Sequence, residues 1–128
     1  MLSVSSRTAR ASFPGSRLVA AFQPHLFSRT RDFAREFGHS LAAADVVWIT
    51  DIFPAREPPL PGVTGETVVS AARAAGAKHV HYHADVGTVH EALADDLRTG
   101  DVLITIGAGS IEGVGRAVLA RLGEAVHA

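Results

Sequence analysis

The sequence predicts an α/β fold: a Rossmann-like, doubly wound, mostly parallel sheet with helices on both faces, built as a single domain. Three observations carry this expectation. Four apolar runs alternate with four amphipathic ones, the order that produces strand–helix–strand crossovers. Two of the runs, Val46-Val47-Trp48-Ile49 and Val102-Leu103-Ile104-Thr105-Ile106, lack polar alternation, as strands covered on both faces do. The length, 128 residues, accommodates one domain with one modest core.

The elements follow in order. Residues 1–16 read as a flexible N-terminal segment or linker remnant, closing the tail of a helix (Thr8 to Ser12) at Phe13-Pro14-Gly15. The folded domain is expected over 17–128. The first strand, Arg17–Phe22, stops at Pro24, which cannot donate to a ladder. The first helix is expected over Arg31–Ala43, with Phe33, Phe37 and Leu41 as its core stripe. Strand two covers Asp45–Thr50, and helix two covers Gly65–Ala75 with Val68, Ala71, Ala72 and Ala75 inward. Strand three is Lys78–Tyr82. Helix three, Thr88–Thr99, presents Val89, Leu93 and Leu97, and stops at Gly100. Strand four is Asp101–Ile106, and helix four, Ile111–Gly123, presents Val114, Val118 and Leu122. The longest irregular stretch, Asp51 to Thr64, holds four of the six prolines. A loop of that length inside a compact domain is usually functional.

Composition excludes several classes. Twelve basic residues balance thirteen acidic ones, and no basic stripe suits a nucleic-acid backbone. There is no Cys, so disulfides and thiolate metal sites are excluded. No apolar run approaches the ~20 residues that span a bilayer. No secretory h-region is present, and the expected address is cytoplasmic.

With strand order 3-2-1-4, winding reverses between strands one and four, and ligands of such sheets bind beyond the carboxyl ends at that point. His25, Ser28, Arg29 and Thr30 stand just past strand one. Arg29 and His25 read either as anion capture, aided by the helix N-terminus, or as solvated groups of a capping turn. In the second case Thr30 or Ser28 is the N-cap and Asp32 favours the dipole. Gly107-Ala108-Gly109-Ser110 reads as a tight turn or as backbone approaching a ligand. Glu112 stands where a dinucleotide fingerprint needs glycine. Asp51 and Glu57 flank the proline-rich loop and read as helix-capping or solvated carboxylates, or as Mg²⁺ or acid–base groups. His79, His81 and His83 alternate along strand three. Zinc ligation is weighed there, but polar residues on an edge strand explain them more simply, and no metal site is expected. Nucleophile-elbow and Walker patterns are absent.

Three segments together are similar to the C-terminal domain of the Mur ligase family, in the branch that adds L-alanine to UDP-N-acetylmuramate. Phe22-Gln23-Pro24-His25-Leu26-Phe27-Ser28-Arg29-Thr30-Arg31-Asp32 resembles the family's Phe-Gln-Pro-His-(Arg or Leu)-Tyr-Ser-Arg-Thr-Arg-Asp. Asp51 through Val63 resembles its Asp-(Ile/Val)-Tyr-x-Ala-(Gly/Arg)-Glu-x-Pro-Ile-x-Gly. Gly100-Asp101 through Ile111 resembles its Gly-Asp, strand, Gly-Ala-Gly-(Asn/Asp/Ser)-Ile ending. The departures are Leu26, where many members carry Arg, and Phe27 and Phe53, where Tyr is usual.

The resemblance implies a step of peptidoglycan synthesis. ATP, with Mg²⁺, activates the lactyl carboxylate as an acyl phosphate, and the L-alanine amine displaces phosphate. It implies that an N-terminal UDP-sugar domain and a central P-loop domain are the missing partners, and that ATP and Mg²⁺ belong to the complete enzyme and not to this chain alone. It places His25 and Arg29 at the alanine, supported by Ser28, Thr30 and Asp32, and leaves catalytic residues unassigned. Two other readings stand beside it: a free-standing module that binds a small anion or nucleotide, and a fragment without function of its own.

Overall fold

The structure is a computed structural model that describes residues 11–107 and 109–127. Four strands, β1 (Leu18–Gln23), β2 (Val46–Ile49), β3 (Val80–Tyr82) and β4 (Val102–Gly107), form one sheet in the order β3-β2-β1-β4. Every pairing is parallel, with Val19 opposite Val46 and Leu103, and Phe22 opposite Ile49 and Ile106. Helices α1 (Phe27–Leu41), α2 (Gly65–Ala74), α3 (Val89–Asp96) and α4 (Val114–His127) connect or follow the strands. A 3₁₀ turn, Gly109–Gly113, leads into α4.

β1 is central, and all six of its residues are buried. Its side chains alternate between two cores, as a strand requires. Leu18, Ala20 and Phe22 join Val47, Ile49, Ile104, Leu41, Val68 and Val69 under α1 and α2. Val19 and Ala21 join Val46, Val89, Leu93, Ile111, Val114 and Val118 under α3 and α4. The doubly wound α/β prediction is therefore correct, and the observed strand order is the one on which the expected crevice was conditioned. α1 and α2 approach closely because Gly38 is buried: a Cβ there would stand 2.5 Å from the backbone carbon of Ala71. Below the sheet, Arg17 ties the amino end of β1 to Asp101 at 2.6 Å and to Asp96 at 3.0 Å.

The differences from the sequence prediction are local. α1 starts at Phe27, four residues before the expected Arg31. Phe33, assigned to the core stripe, is 48% exposed and among the described rings meets only Phe37 (ring centroids 6.4 Å apart), while Phe37 and Leu41 reach the core. α3 stops at Asp96, because Leu97 turns extended (ψ 142°). Residues 11–12 are helical and 13–16 form a turn. The rest of the expected N-terminal segment lies outside the described residues, as does Ala108.

Candidate functional site

The site grows from the carboxyl end of β1. Past Gln23 the ladder is not simply cut by Pro24. The chain keeps company with the loop after β2 through Phe53 N–H donating to Pro24 O (2.8 Å) and Leu26 N–H donating to Phe53 O (2.9 Å). The His25 ring stacks on Phe53, with centroids 5.7 Å apart and planes 15° apart. Leu26 is then forced to φ 69°, ψ 139°, a region that non-glycine residues adopt only when the surroundings determine it.

That geometry explains the early helix start and its unusual cap. Leu26 is the N-cap residue and supplies no side-chain hydrogen bond, contrary to the capping role weighed for Thr30 or Ser28. The cap comes from Glu57. Its carboxylate accepts from the Ser28 amide at 2.8 Å and from the Ser28 hydroxyl. Both bonds, the side-chain one first, hold the Glu57 carboxyl below its ordinary value of 4.5, as hydrogen bonds to the charged form do. The loop reaches the helix through a turn in which Ala55 (φ 47°) and Arg56 (φ 74°) are both left-handed and Glu57 N–H donates to Pro54 O at 2.9 Å.

The remaining residues of the segment divide cleanly. Thr30 is fully buried, and its hydroxyl donates back to Leu26 O at 2.7 Å; it supports the turn from beneath. Asp32 pairs with Arg31 at 2.9 Å, both exposed. The Arg29 side chain is exposed and, among the described residues, makes no hydrogen bond or ion pair. His25 is half-buried.

Asp51 stands apart from this group. It accepts from Gly65 N–H at 3.1 Å, satisfying the start of α2. Burial, and then the hydrogen bond to Asp51, push the Tyr82 hydroxyl up to about 12. The glycine turn is also occupied. Gly107 has φ 133°, and a Cβ on it would lie 2.5 Å from Gln23 O. The buried Gln23 side chain accepts from Ile111 N–H at 3.1 Å. Gly109 and Ser110 belong to the 3₁₀ turn so fastened. Among the described residues no hydrogen bond joins this turn to the His25–Asp32 segment. The structure thus brings His25, Ser28 and Glu57 together with Phe53, and sets Asp51 and the glycine turn to either side. Gln23 and Phe53, though they stand in the family-like segments, were not among the candidate site residues. A Gln closing an otherwise apolar buried run was the available signal for the first.

The three histidines go elsewhere. His81 stacks on Trp48 (4.3 Å between centroids), and His83 donates to or accepts from Thr88 Oγ1 at 2.8 Å. His79 is exposed just before edge strand β3. No three His, Asp or Glu side chains among the described residues group to hold a metal ion, and no helix among them is long and apolar enough to cross a membrane.

Comparison with known proteins adds the following. The family described as "Mur ligase, glutamate ligase domain" matches residues 3–109. UDP-N-acetylmuramate–L-alanine ligase of Cutibacterium acnes is 57% identical over 99 residues, which are 77% of this chain and 21% of that protein. The ligase of the same name from Pelodictyon phaeoclathratiforme is 49% identical over 107 residues, 82% of this chain and 22% of that one. The chain therefore spans about a fifth of the length of these curated relatives. In structure, the UDP-N-acetylmuramate–alanine ligase of Thermotoga maritima superposes with TM-score 0.72 at 20% identity, over 94% of this chain and 23% of that one. That likeness is one of fold.

Proposed function

Because the chain belongs to the Mur ligase family, we propose that it is the C-terminal, amino-acid-positioning domain of an ATP-dependent ligase that adds L-alanine to UDP-N-acetylmuramate. The observation that carries this reading is the 57% identity to a ligase of that name. In such an enzyme the other domains hold the UDP-sugar, ATP and Mg²⁺, in the cytoplasm. The reaction forms an acyl phosphate on the lactyl carboxylate. The alanine nitrogen then bonds to the acyl carbon, phosphate leaves with the electron pair of the C–O bond, and the nitrogen gives up a proton.

The part assigned to this chain is placement. Arg29 has a free planar fork suited to the alanine carboxylate. His25, its plane fixed by Phe53, orients the same ligand by one ring nitrogen. Ser28 acts indirectly, since its hydroxyl and amide face Glu57. Thr30 sustains the turn, and Asp32 screens Arg31. Holding the amine near the acyl carbon converts a bimolecular encounter into a local one, which is where such a domain contributes to rate.

The chain alone has no means of holding ATP, so phosphate release with UDP-N-acetylmuramate, ATP and L-alanine is expected at background. Exchanged for the matching segment of the Cutibacterium acnes relative, it is expected to restore alanine-dependent phosphate release. Failure of that exchange, with the hybrid folded, would sink the reading.

A further inference from the structure

Arg56 is the residue of the loop for which the local backbone gives the least reason. It occupies φ 74°, directly after Ala55 at φ 47°. Two consecutive left-handed residues in a turn strongly favour Asn, Asp or Gly, and a long side chain persists in that conformation only under outside constraint or use. The turn itself is accounted for by the Glu57 N–H bond to Pro54 O, which glycine would make equally well. The side chain contributes nothing visible to the fold: it is exposed and, among the described residues, unpaired.

Its position is informative. Arg56 precedes Glu57, and Arg29 follows Ser28; Glu57 and Ser28 are joined by two hydrogen bonds. The two guanidinium-bearing residues are therefore each one residue from the same clasp. Leu26, whose amide bonds to Phe53 on the same seam, offers no side-chain donor. Asp32 pairs with Arg31, and the Glu57 carboxylate, which stays charged, accepts from Ser28; among the described residues neither Arg29 nor Arg56 forms an ion pair.

We propose that Arg56 is a second anion-binding residue of this site, sharing with Arg29 a carboxylate or phosphate group of the substrate. This rests on the placement role proposed above and adds a contact to it. The left-handed backbone is the means by which the turn can both return Glu57 to α1 and present Arg56 outward.

The test uses the 128-residue chain with ¹⁵N-labelled arginine, following the Nε–Hε signals of Arg29 and Arg56 during separate titrations with L-alanine and with inorganic phosphate. Both signals are expected to move with one shared midpoint; the anion that moves them identifies the source. Arg56→Gly relieves the left-handed strain, so its melting temperature is expected to equal or exceed that of the wild type, while the midpoint rises at least about threefold and Arg56→Lys recovers part of it. A side chain with a merely structural role would not separate stability from binding in this way. Movement of Arg29 alone, or an unchanged midpoint in Arg56→Gly, overturns the assignment of Arg56 and leaves the placement role intact. No movement of either signal with either anion overturns both.

Discussion

An arginine stands at each end of β1, and the fold treats the two oppositely. Arg17, at the amino end, is 23% exposed and held by Asp101 and Asp96 at 2.6 and 3.0 Å, with a further bond to the Asp96 carbonyl. Arg29, beyond the carboxyl end, is exposed and without a partner among the described residues. The first charge is neutralised by the chain's own carboxylates and fixes where α3 ends and β4 begins. The second is left available. The carboxylates of this end of the sheet are turned to other work, Glu57 to the start of α1, Asp32 to Arg31 and, farther off, Asp51 to the start of α2. One residue type is thus fixed as scaffold where carboxylates face it, and left exposed where, among the described residues, none pairs with it.

Four measurements test that contrast. The largest effect is expected from Arg17→Ala, which strands the nearly buried Asp101 without its cation. Partial exposure reduces the penalty of a fully buried pair, and unfolding in urea is expected to report a loss of about 2–3 kcal/mol. Next is Gly107→Ala, which places a Cβ against Gln23 O in a left-handed backbone; calorimetric melting is expected to show a loss of about 2 kcal/mol.

Third, Glu57 contributes an acid-dependent increment. Its folded pKa lies below its ordinary value of 4.5, so the folded state binds fewer protons. That stability is present above about pH 4.5 and disappears as pH falls through the lowered folded value. Melting temperatures compared between about pH 6 and pH 3 are expected to fall less steeply in Glu57→Gln than in the wild type; parallel curves would remove Glu57 from the cap. The smallest effect on stability is expected from Arg29→Ala, within about 0.5 kcal/mol, together with loss of alanine-dependent turnover in the hybrid ligase. A large loss of stability there would mean that Arg29 is scaffold after all, like Arg17.

The sequence was a good guide wherever burial is periodic. The two-faced strands, the four helices and the inward Val68, Val89, Leu93, Val114 and Val118 were legible because side chains of fixed hydrophobicity repeat at the period of their element. The start of α1 was not. The hydrophobic stripe begins at Phe33, but the helix begins at Phe27, because its first turn is stabilised by a carboxylate 29 residues away in sequence. His25 was visible as a candidate, whereas its partner Phe53 became meaningful only when the loop after β2 was laid beside Pro24 and Leu26.

The order of residues sufficed for the layered architecture, the strand–helix alternation and most inward-facing positions, since each depends on composition and spacing along one stretch of chain. Only the tertiary structure decided which charged groups remain available. Glu57, Asp51 and Arg17 are claimed by helix ends and carboxylates from distant elements, while among the described residues the side chains of Arg29 and Arg56 are not. Pairing is a contest between groups brought together from afar, and no local window contains all the contestants.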